Sequence, residues 1–133
     1  MQEIFRPVKI LLDSHIFLWW AEDTPVLSRR ARKVLEEPSN QLLFSIASAW
    51  ELALKLDRLQ LTDRFEPLLQ AGIRELGLTI LGIELRHVIY SGSLPWIHRD
   101  PFDRMLISQA LLEGVPILSA DEKVAQYPVE VIS

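Results

Sequence analysis

Val8-Lys9-Ile10-Leu11-Leu12-Asp13 is an apolar run, broken by one lysine, that ends on an acid. A run this short and continuous reads as a strand buried on both faces, as in a parallel sheet. An acid closing such a strand gains nothing obvious in packing. In an open parallel sheet, however, the carboxyl end of a strand is where sites form. Working outward, Gln41 to Ile46, Leu78 to Ile83, Val115 to Leu118 and the terminal VEVI (129–132) read as further strands.

Helical stretches alternate with these strands. Ser28 is placed to cap a helix through about Glu37, stopped by Pro38. Ser48 opens SAWELALKL, a run of good helix formers. Thr62 or Asp63 caps a helix to about Leu76, with Gly77 as its stop. Another spans Glu84 to about Tyr90. SGSLPWIHRDP (91–101) reads as a loop. Asp100 then caps a helix that starts at Pro101 and runs to Glu113 and Gly114. DEKVAQY (121–127) is a short helix. Alternating strands and helices predict an α/β fold, a parallel, Rossmann-like sheet flanked by helices, as one domain over residues 1–133.

Composition sets the boundaries. The chain has 133 residues, 49% hydrophobic and 24% charged, which suits one soluble globular domain. It has no cysteine, which excludes disulfides, zinc–thiolate sites and cysteine nucleophiles. MQEIFRPVK lacks the pattern of a secretory leader, and no apolar run approaches a membrane span, so a cytoplasmic location is expected and no membrane partner. The net charge of −4 argues against a broad basic face for nucleic acid. It leaves room for an enzyme whose acids gather around cations.

Asp13 follows the first strand and Asp121 the fourth, so both fall at the sheet rim. Glu51 and Asp103 lie one turn into the helices after strand two and before strand four. Four carboxylates from four segments can converge there. Unless compensated they repel, and some take up protons. A divalent cation removes the problem, and all-oxygen ligation favours Mg2+ or Mn2+ over zinc. Such a centre can activate water and stabilise charge on a phosphodiester. Three of the acids also have a plainer reading. Ser48 to Glu51 matches a capping box, Asp103 sits where acids favour a helix dipole, and Asp121 can cap the next helix.

These positions carry a family resemblance. LLDSH at 11–15 followed by FLWW, SIASAWELALKL at 45–56, LPWIHRDPFDRMLISQA at 94–110 and ILSADEKVAQY at 117–127 resemble the motifs of PIN domains, in the family's order and over nearly the whole chain. The resemblance implies a Mg2+- or Mn2+-dependent endoribonuclease acting on RNA. It implies Asp13, Glu51, Asp103 and Asp121 as catalytic and metal-holding residues, with Ser14 as an auxiliary hydroxyl where many members have threonine. Asp100 is expected to support them. Many stand-alone PIN domains are toxins neutralised by a cognate antitoxin, and they commonly form homodimers.

His98, Arg99 and Arg104 flank the acidic helix and are candidates to grip substrate phosphate, as are Lys55 and Arg58 on the helix of Glu51. His15 stands where many PIN domains have asparagine, and a packed or partly exposed ring is expected. His87 is expected on a helix surface, and Trp50 in the core. Two rival functions use the same rim. One is a structure-specific DNA nuclease. The other is a non-catalytic regulatory or binding module such as a phospho-receiver, which wants a lysine after a late strand where this chain has Ser119, Ala120 and Asp121.

Overall fold

The computed structural model describes residues 8–133. Most of the opening stretch on which the leader reading rests, and the first residues of the expected 1–133 domain, lie outside them. The element order is β1 (Lys9–Leu12), α1 (Ser14–Glu22), α2 (Arg29–Glu36), β2 (Gln41–Ser45), α3 (Ile46–Arg58), α4 (Phe65–Leu76), β3 (Thr79–Leu81), α5 (Leu85–Ser93), α6 (Pro101–Glu113), β4 (Ile117–Leu118) and β5 (Val131–Ile132). The five strands form one sheet in the order β3-β2-β1-β4-β5, and every pairing is parallel. This is the expected α/β architecture. No helix among the described residues is long and apolar enough to cross a membrane.

The pleat sorts the core by residue parity. Ile10, Leu12, Leu42, Phe44 and Leu118 face α1 to α4, where they meet Ile16, Phe17, Ala31, Leu35, Leu52 and Leu56. Leu11, Leu43 and Ile117 face α6, where they meet Leu106, Ile107 and Ala110. Burying each large side chain is worth roughly 1.5–3 kcal/mol, which is why β1 has to be apolar on both faces. On the first face Phe17 packs on Phe44 with ring centroids 4.8 Å apart. Gly72 of α4 admits Phe17: a Cβ there would lie 2.5 Å from its ring.

Several local expectations shift. Residues 14–22, for which the sequence predicts no element, form α1. Its N-cap is Asp13, whose carboxylate accepts from the His15 backbone N–H. The acid that ends β1 therefore has a structural task after all. Ser48 does not open α3: Ser45 does, its hydroxyl accepting from Ala47 N at 3.0 Å. The Ser48–Glu51 capping box is therefore absent. Thr62 to Arg64 form a 3-10 turn, and α4 begins at Phe65 without a side-chain cap. The third strand shortens to Thr79–Leu81, and the fourth to Ile117–Leu118. Helix α5 runs on through Ser93 into the expected loop, and only Val124–Gln126 of DEKVAQY is helical, as a 3-10 turn. Ser28 caps α2, Asp100 caps α6, and Gly77 and Gly114 end α4 and α6 with φ of 65° and 67°.

Candidate metal centre

The chain builds β1, β2 and β3 toward one side of the sheet and then returns to lay β4 and β5 on the other. The order reverses between β1 and β4, and a crevice opens at the carboxyl ends there. Asp13 follows β1 and Ser119 follows β4. The Ser119 hydroxyl donates to Asp13 Oδ2 at 2.8 Å and accepts from the Asp121 backbone N–H at 3.1 Å. A cleft of about 230 Å3 is lined here by Asp13, His15, Trp19, Ala120 and Asp121. From sequence, Ser119 is singled out only as a position without lysine. A serine two residues before an acid at a strand end was the available signal.

The other two acids arrive from the helices. Glu51, half-buried on α3, accepts a short hydrogen bond from the Ser14 hydroxyl of α1. The pair lines a crevice with His15 and Lys55. Asp103, in the first turn of α6, is buried. His98 joins them from the preceding loop: its Nε2 lies 3.0 Å from Asp103 Oδ2 and 2.8 Å from Asp121 Oδ2. One donor atom from each of His98, Asp103 and Asp121 falls within 4.8 Å of the others.

The electrostatics separate the acids. Burial pushes the Asp13 carboxyl up, but hydrogen bonds from the His15 ring, the His15 backbone N–H and Ser119 outweigh it, leaving it below the ordinary value. His15 is raised in turn, chiefly by its bond to Asp13. Asp103 is pushed up to about 7, first by burial, then by the charges of Asp13, Asp100 and Glu51, against the pull of His98. Asp103 Oδ1 is buried and has no hydrogen-bond partner among the described residues. A buried oxygen without a donor is costly, and a cation is what its surroundings lack. The donor set, carboxylates with one imidazole beside them, fits a divalent ion.

The remaining expectations divide. Asp100 caps α6, accepting from Phe102 N and Asp103 N, so it supports Asp103 through the backbone. Arg99 is exposed and free to meet phosphate. Arg104 does not fit the grip expected of it. Its guanidinium is buried and donates to the carbonyls of Ser91, Leu94, Pro95 and His98, with the Trp96 ring 3.9 Å away. His98 is likewise turned inward onto carboxylates and is only 8% exposed. His87 is fully buried rather than on a surface, and Trp50 is 60% exposed rather than in the core, its ring edge-on to Phe102. A larger groove, about 630 Å3 between α1, α3 and α4, is lined by none of the four acids, so the concentration of charge rather than cavity size marks the site.

Comparison with known proteins agrees with this arrangement. A family model described as PIN domain matches residues 10–130. Ribonuclease VapC22 of Mycobacterium tuberculosis is 28% identical over 123 residues, covering 89% of this chain and 91% of that protein. In fold, the chain resembles the structure of VapBC2 from Rickettsia felis bound to a DNA fragment from their promoter, with a TM-score of 0.75, 16% identity and coverage of 94% of this chain and 98% of that one. It also resembles a toxin–antitoxin complex from Klebsiella pneumoniae, with a TM-score of 0.66, 17% identity and coverage of 93% and 96%. A match running from the first strand to the residue before the last strand, on a sheet whose reversal point gathers the expected acids, places the protein: the chain belongs to the PIN domain family.

Proposed function

We propose that this protein, taken as one nuclease domain over residues 1–133, is a Mg2+- or Mn2+-dependent endoribonuclease and the toxin of a toxin–antitoxin pair. The observation that carries the reading is Asp103 Oδ1, buried without a partner among the described residues and beside three other acids. Asp13, Glu51, Asp103 and Asp121 would hold the cation. When bound, it supplies an activated water and offsets charge developing on the phosphodiester. Each acid has a support. Ser119 and His15 hold Asp13 ionised, and the Ser14 hydroxyl fixes one oxygen of Glu51. Asp100 fastens the first turn of α6, and the Lys123 backbone N–H fixes Asp121. Exposed Arg99 and Lys55 border the site and suit phosphate contact. The ribonuclease and antitoxin parts draw on the named relatives, and a homodimer accords with the family resemblance.

The test is cleavage of a panel of labelled RNAs with Mg2+, Mn2+ or EDTA, comparing wild type with Asp13→Asn and Asp103→Asn. Metal-dependent cutting that both folded variants lose is expected. Equal cutting by all three proteins sinks the proposed site. Preference for branched DNA over every RNA replaces the substrate class while keeping the centre.

A further inference from the structure

His98 sits where two of the proposed cation-holding carboxylates meet, yet its bonding does not suit it to be a ligand. Its Nδ1 faces the backbone N–H of Asp100 at 3.2 Å. A ring nitrogen that accepts a hydrogen bond carries a lone pair, so the proton of the neutral imidazole lies on Nε2. Nε2 is the atom at 2.8 Å from Asp121 Oδ2 and 3.0 Å from Asp103 Oδ2. It donates to Asp121 Oδ2, lies in ion-pair contact with Asp103 Oδ2, and has no lone pair left for a metal. We propose that His98 is a positioning residue whose Nε2–H holds one oxygen of Asp121 by a hydrogen bond and keeps one oxygen of Asp103 in contact beside it, turning Asp103 Oδ1 toward the divalent cation. The inference rests on the metal-centre reading above.

The backbone of His98 is itself held at both ends. Its N–H donates to the Tyr127 hydroxyl at 2.8 Å, and its carbonyl accepts from Arg104 Nη1 at 3.2 Å. The same guanidinium gathers the carbonyls of Ser91, Leu94 and Pro95, and the Tyr127 hydroxyl donates to Pro95 as well. The loop before α6 is thus fastened along its carbonyls, and the ring enters the acid cluster from a fixed backbone. A constellation held in this way loses little freedom when a cation arrives. Arg104 follows Asp103 in sequence, so one turn of α6 carries both a proposed ligand and the clamp on that ligand's partner.

Metal-free protein of full length, titrated with Mn2+ while free aqueous Mn2+ is followed by electron paramagnetic resonance, tests this. The proteins are wild type, His98→Ala and His98→Gln, whose amide N–H can replace the Nε2–H. Loss of a partner that orients a metal ligand typically costs 10–100-fold in affinity, so His98→Ala should weaken Mn2+ binding by about that factor and His98→Gln should recover most of it. Pulsed spectra of Mn2+ on the wild type should show no directly bonded nitrogen. Unchanged affinity in His98→Ala overturns the proposal. So does a bonded nitrogen, which makes the ring a ligand, and so does a His98→Gln as weak as His98→Ala. If His98→Ala does not fold, His98→Gln and the wild-type spectrum decide: a 10–100-fold loss in His98→Gln, or a nitrogen coupling, overturns it. A wild type that binds no Mn2+ removes the metal-centre reading and this inference together. Tight wild-type binding matched by His98→Ala removes this inference alone.

Discussion

His87 and His98 are both buried, and their rings are bonded alike. Nδ1 accepts a backbone N–H, from Glu84 at 2.9 Å and from Asp100 at 3.2 Å. Nε2 meets a carboxylate, Glu113 at 2.9 Å and Asp121 at 2.8 Å. Each ring also forms a cluster of three side chains with spacing fit for a metal. They part company in what else touches the acids. Arg86 pairs with both Glu84 and Glu113, so the first cluster carries its own cation. At the second, no lysine or arginine among the described residues pairs with Asp103 or Asp121, and Asp103 Oδ1 stands alone. Ligand spacing is therefore a poor guide by itself. A buried charge without compensation is the better one.

The sharpest way to break this contrast is Asp103→Asn. Cleavage and Mn2+ affinity should each fall by more than ~100-fold, beyond the loss expected for a supporting residue. Its effect on the metal-free fold should have the opposite sign. The folded Asp103 titrates at about 7 against an ordinary 3.8. Between those values the unfolded chain has released the proton and the folded chain retains it. Wild-type stability should therefore fall as pH rises through that window, and the loss is complete above about 7. Melting in EDTA from pH 4 to 8 should show a flatter profile for Asp103→Asn and a higher melting point than wild type at pH 8. Added Mn2+ should reverse that order. Coincident profiles in EDTA would mean that Asp103 is not strained, and the case for a cation would lose its main support.

Arg104 tests the same contrast from the cation side. It adjoins the open cluster in sequence but spends its guanidinium on backbone carbonyls. Arg104→Ala removes the donor to four carbonyls at once, two of them buried, and should cost about 3–5 kcal/mol in denaturant unfolding. Arg104→Lys should recover little, because an ammonium cannot fan out to the same acceptors. A loss under ~1 kcal/mol would show that the loop holds itself. His87→Ala should come next, at roughly 2–4 kcal/mol, since it empties a fully buried site and strands the Glu84 N–H. Mn2+ affinity should not change. A drop would mean that the two clusters are linked through α6.

How far the sequence carries the argument depends on which forces are local. The parallel sheet, its helices and the caps at Ser28 and Asp100 were readable because apolar runs, Pro101, Gly77 and Gly114 act within a few residues. Asp13, Glu51, Asp103 and Asp121 were expected at one rim because strand ends share an edge of the sheet. Ser45 was passed over as a cap because Ser48 with Glu51 made the more familiar pattern. Residues 14–22 were read as motif rather than as helix, although Asp13, Ile16, Phe17 and Trp20 have helical spacing. The roles of Arg104 and His98 lay beyond reach for another reason, and that of Ser119 was signalled only by its place two residues before an acid at a strand end. Their roles depend on loop carbonyls, on a carboxylate 23 residues away and on an acid 106 positions earlier. A basic residue beside an acidic helix looks the same in sequence whether it meets phosphate or backbone.

The smallest expected effect is also the most pointed. Arg86 is about half exposed and its ion pairs are screened by solvent, so Arg86→Ala should barely move the unfolding midpoint. What it does to metal binding is more informative, because the variant leaves Glu84, His87 and Glu113 without their cation. If compensation were the whole difference between the clusters, a new tight Mn2+ site should appear. We expect none. Glu84 reaches into solvent and Glu113 is partly exposed, so water solvates their charge once the arginine is gone. His87 still offers only a protonated nitrogen, because Nδ1 continues to accept from the Glu84 backbone. Equal numbers of tight sites in Arg86→Ala and wild type, counted by Mn2+ titration, would show that burial of Asp103 matters as much as the missing cation. An additional tight site would assign the difference to Arg86 alone.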